Sequence, residues 1–259
     1  MPRVDYDAIA HVYDEPDRDH DVDAGLVAFV EASGLASSDV HVLDVGCGTG
    51  KQLGADRARY PAMALVGVDR FGAMLRIARS AWPTVAWAQA DGAALPFAAA
   101  TFHYATSQYS HAHIRNHTRL LRELFRVLKP GGRFVMTNID PWAMPDWLIY
   151  RVFPEARALD YQDFVPIEGW LSLMRAAGFQ NLQTRHTDTS RPEHLRDFLA
   201  FASRRHRASQ LMAIPDDAYC LGLGHLARTI SSTPEEALVV RSQCVVVTVS
   251  GDKAPARAR

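Results

Sequence analysis

A glycine-rich segment, residues 44–50, has the residue types best suited to bind a charged small molecule. It reads Asp-Val-Gly-Cys-Gly-Thr-Gly and lies between an apolar run, 40–43, and a helix-like stretch that begins at Lys51. Glycines let the backbone turn sharply and approach a ligand closely, because no Cβ intrudes, and the first amides of a helix attract negative charge. The pattern predicts a nucleotide-type binding turn between a strand and a helix. Its candidate contact residues are Asp44, Gly46, Cys47, Gly48 and Gly50.

The spacing of the glycines narrows the choice of ligand. A dinucleotide-binding turn needs Gly-x-Gly-x-x-Gly, whereas this chain has Gly-x-Gly-x-Gly with an acid before it. A P-loop needs Gly-Lys-Ser/Thr, but Lys51 is followed by Gln52. The acid-x-Gly-x-Gly-x-Gly turn resembles the first motif of the class I S-adenosylmethionine-dependent methyltransferases. A structural glycine turn in another α/β protein is the alternative interpretation of this segment alone.

Further segments follow in the order that the resemblance implies. A second apolar run, 64–68, ends at Asp69, and a third, 84–90, ends at Asp91. Ligands bind beyond the carboxyl ends of the strands in open α/β sheets. The resemblance implies that Asp69 holds the ribose hydroxyls and Asp91 the adenine amino group, although either acid alone could be a turn residue. Further contacts with S-adenosylmethionine, or with its product S-adenosylhomocysteine, are implied at Tyr6, Arg70, Met74, Gly92, Ser107 and Gln108.

Two later segments resemble the ubiquinone/menaquinone-type group of small-molecule methyltransferases. The first is Leu-Pro-Phe at 95–97 with the apolar strand 101–106, in which His103 replaces the acid usual in that group. The second is the segment 124–134, in which a helix is stopped by Pro-Gly-Gly before a fifth strand. The resemblance is close over residues 4–140 and holds in outline beyond them.

The N-terminal pattern Tyr6-Asp7-x-x-Ala10-x-x-Tyr13-Asp14 resembles the arm that closes over cofactor and substrate in many small-molecule methyltransferases. The resemblance implies that Tyr6 and Tyr13 cover the active site, with Tyr13 among the catalytic residues. A surface helix with two partly packed tyrosines is the alternative.

The segment 107–114 follows the fourth strand and contains two histidines at the edge of the sheet where catalysis is expected. Methyl transfer depends mainly on positioning, because the sulfonium of the cofactor activates the methyl group. Phenol, enol or ammonium acceptors also need a base, and histidine titrates near neutral pH. We expect His111 first and His113 second in that role, although either could instead bond to the backbone. A metal site made with Asp140 lacks a convincing third ligand, so no metal is predicted.

The alternation of apolar runs with helical patterns predicts an α/β fold. With the resemblance, we expect a Rossmann-like, mostly parallel seven-stranded sheet with helices on both faces and helical insertions after strands five and six. Helices are expected at 23–33, 118–128 and 167–177, and strands six and seven at 179–186 and 242–250. The chain is interpreted as a single domain, 1–259, with an N-terminal arm and helices 1–35, a cofactor-binding half 36–140, substrate-cap insertions 141–165 and 187–241, and a flexible tail 252–259.

The two insertions are where the acceptor substrate is expected to bind, because loops on a rigid scaffold carry specificity. Aromatic residues commonly line small-molecule pockets, and the candidates are Trp142, Trp147 and Tyr150. They could instead cover a sheet edge and fill a satellite core. The helix-prone insertion 187–241 could be a lid or a dimerisation surface.

Composition and charge exclude several partner classes. The net charge is −1 with scattered cationic residues, so no nucleic-acid partner is expected. No apolar stretch approaches a membrane span, the first residues lack a signal-peptide core, and three cysteines make no paired or metal spacing. We expect a cytoplasmic monomer or homodimer without membrane association that acts on a small-molecule substrate.

Together these patterns predict S-adenosylmethionine-dependent methyl transfer to oxygen, carbon or nitrogen of a small molecule with an aromatic or otherwise apolar body. In-line positioning is the expected mechanism, with histidine as an optional base. Two alternatives stay open: an enzyme of the same fold that uses the cofactor without methyl transfer, such as a cyclase, and a non-catalytic cofactor-binding regulator. The retained glycines and acids argue against the regulator.

Overall fold

The computed structural model describes residues 4–14 and 20–256, and these fall into two compact units. We call the larger one the sheet unit; it comprises Tyr6–Asn138, Ile167–Arg185 and the chain from Thr248. The helical unit comprises Ile139–Pro166 and His186–Val247, with Val4 and Asp5. The predicted insertions, 141–165 and 187–241, lie within the helical unit, and their role as a substrate cap stays a prediction.

The described residues form strands β1 to β9 in chain order. Their bounds are His41–Val45, Ala64–Asp69, Ala86–Gln89, Phe102–Gln108, Leu128–Ile139, Gln180–Asp188, Arg191–His194, Val239–Ser242 and Val245–Asp252. Seven of them make one sheet in the order β3-β2-β1-β4-β5-β9-β6, and β7 pairs with β8 separately. The predicted mostly parallel seven-stranded sheet is therefore confirmed.

The helices α1 to α11 connect and flank these strands. Their bounds are Tyr6–Tyr13, Ala24–Ser33, Lys51–Arg59, Gly72–Ala81, His117–Val127, Leu148–Val152, Pro154–Asp163, Ile167–Ala177, Leu195–Ala202, Ser209–Ala213 and Asp216–Ser232. The helix predicted at 23–33 begins one residue later, because Asp23 is its N-cap and accepts hydrogen bonds from the amides of Gly25 and Leu26. The helix predicted at 167–177 has the predicted bounds.

Parallel pairing brings the carboxyl ends of the first five strands to one edge of the sheet. Strand β1 lies between β2 and β4, with Asp44 opposite Gly67 on one side and Thr106 on the other. Strands β3 and β5 extend the sheet in parallel register beyond β2 and β4. Four of the five β1 residues are buried, as expected for a central strand of a parallel sheet covered on both faces. The predicted site residues that follow these strands therefore share one edge.

The helix before β5 shows how the sequence builds this scaffold. Leucines recur along α5 at helical spacing, and Leu120, Leu121, Leu124 and Val127 are all buried. The side chain of Asn116 caps the first turn by accepting a hydrogen bond from the amide of Arg119 at 2.9 Å. The helix predicted at 118–128 thus runs one residue earlier at each end.

The predictions for the last two strands and the tail need correction. Strand β6 runs two residues beyond the predicted 179–186, and β9 begins three residues after the predicted 242. The predicted flexible tail starts too early, because Asp252 belongs to β9 and Lys253 exchanges backbone hydrogen bonds with Gly131 and Gly132.

The insertion 187–241 is not wholly helical. Strands β7 and β8 pair antiparallel at its two ends, with Arg191 opposite Ser242 and His194 opposite Val239. Neither strand is longer than four residues, and their partners are distant in sequence, so local periodicity carried no sign of them.

The helical unit has its own apolar core. Phe153, Met144, Leu211 and Leu238 are fully buried in it. Tyr150 is also buried, and its hydroxyl donates to Asp160 Oδ2 at 2.6 Å. Among the predicted substrate residues, Trp147 packs against this core and Trp142 remains 39% exposed. Contact of these aromatics with an acceptor stays a prediction.

None of the helices within residues 4–14 and 20–256 combines the length and the apolarity that a bilayer crossing needs.

Candidate cofactor and active site

The turn after β1 approaches its neighbours as closely as glycine allows. Gly46 has a φ of +80°, and a Cβ on it would lie 2.4 Å from the Ser110 Cβ. The amides of Gly46 and Cys47 both donate to the carbonyl of Val68, at 2.8 and 3.0 Å. Any larger residue at position 46 would push the turn away from the loop after β4.

Gly48 presents the opposite situation. Its φ is +54°, and a Cβ placed on it would meet no atom of the described chain within 4 Å. The backbone is thus open on that side, at the middle of the predicted binding turn. This is the geometry expected where a ligand lies directly against a glycine backbone.

Asp44 carries a buried oxygen that lacks a protein donor. The residue is 3% exposed, and Oδ1 has no hydrogen-bond partner in the part of the chain that the structure describes. Burial, reinforced by the nearby Asp56, Asp23 and Asp69, raises the pKa of this carboxyl well above its usual range. An unpaired carboxylate oxygen in such surroundings is stabilised by a cationic or hydrogen-bonding ligand. The ammonium of S-adenosylmethionine fits that requirement.

Asp69 connects the turn to β2. Its Oδ2 accepts from the Gly48 amide at 2.8 Å and its Oδ1 from the Phe71 amide at 2.9 Å. Burial raises the pKa of this carboxyl, although these amide hydrogen bonds oppose the shift. A carboxylate has lone pairs for further donors, so contact with ribose hydroxyls is compatible with this geometry. Sequence reasoning did not predict that Asp69 also holds the Gly48 amide.

The other predicted adenosine contacts differ in exposure. Asp91 is exposed and accepts from the Ala93 amide at 2.9 Å, whereas Gly92 is buried beneath Val45. Arg70 is exposed, with its guanidinium 5.5 Å from the Phe71 ring centroid. Met74 is buried against Ala10 and Ala73 of the helices α1 and α4. Cofactor contact at these positions stays a prediction.

Helix α1 and the residue that follows it, Asp14, contact three elements of this site through side-chain hydrogen bonds. The Thr49 hydroxyl donates to Asp14 Oδ1 at 2.8 Å, at the glycine turn. The Ala73 amide, in the first turn of α4, donates to Asp7 Oδ1 at 2.7 Å. The Tyr6 hydroxyl lies 2.9 Å from His113 Nε2, on the loop after β4. Sequence reasoning identified the arm but missed the two acids, which belong to the same short pattern as the tyrosines.

The aromatic rings of the arm form one group. The Tyr6 ring lies 5.2 Å from the ring of His113, 5.3 Å from that of Phe71 and 5.9 Å from that of Tyr13. Both tyrosines are half-buried and pack on the cluster of Ala10, Ala73 and Met74. The structure therefore brings the predicted Tyr6, Tyr13 and His113 together.

The loop after β4 is held against β1 by serine hydroxyls. Ser107 is buried, and its Oγ lies 2.7 Å from Ser110 Oγ. Ser110 Oγ in turn donates to the Val45 carbonyl at 3.0 Å. Gln108 is half-buried at the end of the strand. Ser110 was not among the predicted site residues, since a serine in a loop has no distinctive pattern.

His111 is a buried residue, unlike His113. It is 3% exposed, and its Nδ1 lies 2.8 Å from Asn138 Nδ2. Its ring centroid is 4.9 Å from that of Trp170, which is fully buried. Burial, with His117 and His113 nearby, lowers the pKa of His111 to about 3. An imidazole of such low basicity is a poor general base near neutral pH.

The described residues offer no metal centre. No group of three or more His, Cys, Asp or Glu side chains within residues 4–14 and 20–256 could hold a metal ion. Asp140, considered above as a ligand, pairs with His186 in the helical unit, with 2.9 Å between Oδ2 and Nε2.

Comparison with known proteins agrees with this geometry. The family model described as a methyltransferase domain matches residues 42–132. The demethylmenaquinone methyltransferase of Thermus thermophilus is 30% identical over 173 residues, which cover 65% of this chain and 76% of that protein. The 2-phytyl-1,4-naphtoquinone methyltransferase of Thermosynechococcus vestitus is 31% identical over 164 residues, which cover 54% of this chain and 72% of that protein. The solved structure of the YcgJ protein of Bacillus subtilis is 19% identical and superposes with a TM-score of 0.59. The match covers 89% of this chain and 98% of the YcgJ chain, and it shows the fold alone.

The sheet order, the glycine turn and the strand-end acids define a methyltransferase that uses S-adenosylmethionine. The chain belongs to the class I S-adenosylmethionine-dependent methyltransferase family, and its relatives include the menaquinone-type members. S-adenosylmethionine is therefore its cofactor. The unpaired Asp44 oxygen and the open face of Gly48 fit this group.

Proposed function

We propose that this enzyme methylates a small acceptor with an aromatic or otherwise apolar body, at oxygen, carbon or nitrogen. The names of the two quinone-related relatives support an apolar ring system as acceptor. The observation that carries the proposal is the position of the segment Tyr6–Asp14, whose side chains hydrogen-bond to the glycine turn, to α4 and to the loop after β4.

The sheet unit supplies the groups that would hold the cofactor. Asp44 would accept a hydrogen bond from its ammonium group, Gly48 would provide an open backbone surface, and Asp69 would accept from the ribose. When bound, S-adenosylmethionine supplies an electrophilic methyl group whose bond to sulfur breaks toward sulfur as the acceptor's lone pair forms the new bond. The protein then has to orient the acceptor and exclude water.

The acceptor's proton also needs a destination when the acceptor is a phenol, enol or ammonium group. The pair formed by Tyr6 and His113 is the candidate, since its two polar atoms are 2.9 Å apart and both residues are half-buried. In this proposal the proton leaves the acceptor for the Tyr6–His113 pair and is released to solvent after product dissociation. His113 is favoured over His111 because His111 is buried and already bonded to Asn138.

Product mass tests the proposal directly. The purified chain is incubated with S-adenosylmethionine bearing a deuterated methyl group and with two kinds of acceptor: a 1,4-naphthoquinol and a small aliphatic carboxylic acid. We expect the labelled methyl on the naphthoquinol and an equal amount of S-adenosylhomocysteine. Methylation of the carboxylic acid alone would contradict the acceptor class. A converted acceptor of unchanged mass would contradict methyl transfer and favour cyclase-like use of the cofactor.

A further inference from the structure

The imidazole of His111 is surrounded by residues of three different elements. Asn138, at the end of β5, lies 2.8 Å from its Nδ1, and the Trp170 ring of α8 lies 4.9 Å from it between centroids. His117 of α5 is 6.0 Å away between ring centroids and 5.2 Å from Trp170. His111 thus links its loop to the interior of the sheet unit.

The backbone of His111 is fixed as well. Its carbonyl accepts from His117 Nε2 at 2.9 Å and from the Ile114 amide at 3.0 Å. The His113 amide donates to the Ser110 carbonyl at 2.9 Å, which closes a single 3-10 turn over residues 111–113. His113 therefore lies at the end of a turn whose other end is anchored by the His111 side chain and carbonyl.

The hydrogen bond to Asn138 determines the state of the His111 ring. Asn138 Nδ2 can only donate, so His111 Nδ1 accepts and the ring proton is on Nε2. Burial keeps this ring neutral, because its pKa is about 3. A neutral ring whose lone pair is already engaged cannot take a proton from an acceptor. Its contacts with Asn138 and Trp170 instead fix the position of the ring and of the loop that carries it.

We propose that His111 is a positioning residue that holds the loop after β4 so that His113 meets the Tyr6 hydroxyl. The inference rests on the proposed role of the Tyr6–His113 pair in methyl transfer. It gives the two histidines different roles and reverses the order expected from the sequence, in which His111 came first as the base.

Side-chain nitrogen NMR of histidine in the full chain tests the assignment, with S-adenosylhomocysteine bound and no acceptor needed. The spectrum of His113→Gln identifies the His113 signal, and that of His111→Asn identifies the His111 signal. We expect His111 to remain in the Nε2–H form from pH 5 to 8. We also expect Tyr6→Phe to change the chemical shifts of the His113 ring nitrogens, since the hydroxyl contacts the ring.

The positioning role is tested by introducing Tyr6→Phe into two further variants, His111→Phe and His111→Asn, and measuring its effect on the His113 signal in each. His111→Phe keeps an aromatic ring against Trp170 but removes the acceptor for Asn138, so the effect of Tyr6 on His113 should disappear. His111→Asn offers an oxygen acceptor and should restore it. His225→Gln, at an exposed position of α11, is the matched control and should leave the effect unchanged.

Two results would overturn the inference. One is titration of His111 between pH 5 and 8, which remains decisive even if His111→Phe fails to fold. The other is an undiminished effect of Tyr6→Phe in a folded His111→Phe protein. Because these readouts do not involve the acceptor, they are independent of the labelled-methyl experiment, whose failure would contradict the proposed function alone.

Discussion

A buried carboxylate at Asp56 shows how single residues set the pH response of this protein. Its Oδ1 accepts from the Asp23 amide at 2.9 Å and from Gln52 Nε2 at 3.3 Å, whereas Oδ2 has no partner among the described residues. Burial raises the pKa of Asp56 to about 7. The folded state therefore keeps a proton up to about pH 7, whereas an aspartate in the unfolded chain, with a pKa of about 3.9, releases it at a much lower pH.

The sign of this linkage gives a prediction. Because the pKa of Asp56 is raised in the folded state, the stability that its bound proton contributes is fully present below about pH 4. That contribution is lost as the pH rises through about 7. Asp56→Asn should remove that loss, so the free energy of unfolding of the variant relative to the parent should increase by roughly 4 kcal/mol between pH 4 and pH 8. Denaturant unfolding at both pH values measures it. Asp39→Asn, at an exposed acid, is the control, and an Asp56→Asn difference independent of pH would contradict the account.

The two tyrosines of α1 give a second prediction at this scale. Tyr6→Phe and His113→Gln should each lower kcat about a hundredfold, because each removes one member of the proton-accepting pair. Steady-state kinetics with the methylated acceptor provides the measurement. Tyr13→Phe, on the same helix and equally half-buried, should have the smaller effect. A larger loss in Tyr13→Phe than in Tyr6→Phe would contradict the role of Tyr6 and favour Tyr13, the catalytic tyrosine expected from the sequence.

Helix α1 contributes to the site as an element, because it provides the cap that α4 lacks. Phe71 stands at the N-cap position of α4 and makes no side-chain cap hydrogen bond. Asp7 fills that place from α1, through the Ala73 amide. Its carboxylate also interacts favourably with the positive end of the helix dipole.

Removing this cap should weaken both stability and cofactor binding. Asp7→Ala should cost about 1 kcal/mol of unfolding free energy and raise the Kd for S-adenosylhomocysteine, because α1 loses its hydrogen bond to α4. Asp7→Asn keeps an oxygen acceptor and should recover most of the stability. Thermal unfolding and calorimetric titration measure the two effects, with Glu31→Ala on the exposed side of α2 as control. Equal behaviour of Asp7→Ala and Glu31→Ala would contradict the capping role.

The end of the chain stabilises α5 and β5. Lys253 Nζ donates to the carbonyls of Phe125 and Leu128, at 2.7 and 2.8 Å, and lies 4.7 Å from the Phe125 ring centroid. Lys253→Met should therefore cost about 1–3 kcal/mol of unfolding free energy. Arg228→Met, at an exposed position of α11, is the control and should leave it unchanged, as chemical denaturation would show. Equal losses in both variants would contradict the stabilising role of this contact.

Across the whole molecule, sequence reasoning predicted the features that depend on patterns of neighbouring residues. Apolar runs, helix-stop glycines and strand-end acids recur at short range, and together with the family resemblance they predicted the parallel sheet and the edge where Asp44, Asp69 and His113 lie. The pairing of β7 with β8 and the bond between His111 and Asn138 join residues far apart in sequence. Sequence reasoning placed His111 before His113 as the candidate base, and we propose the reverse, because His111 is buried against Trp170, which no local pattern encodes.

Calorimetric titration of Gly48→Ala with S-adenosylhomocysteine tests the central claim most directly. Gly34→Ala is a matched control, because Gly34 also has a positive φ, +68°, and open space around its Cβ position, but ends α2. Both variants carry a similar backbone strain, while only Gly48 belongs to the proposed cofactor surface. The account predicts that the parent and Gly34→Ala bind equally and that Gly48→Ala binds at least about tenfold more weakly. Equal binding by Gly48→Ala, or no binding by the parent, would contradict it.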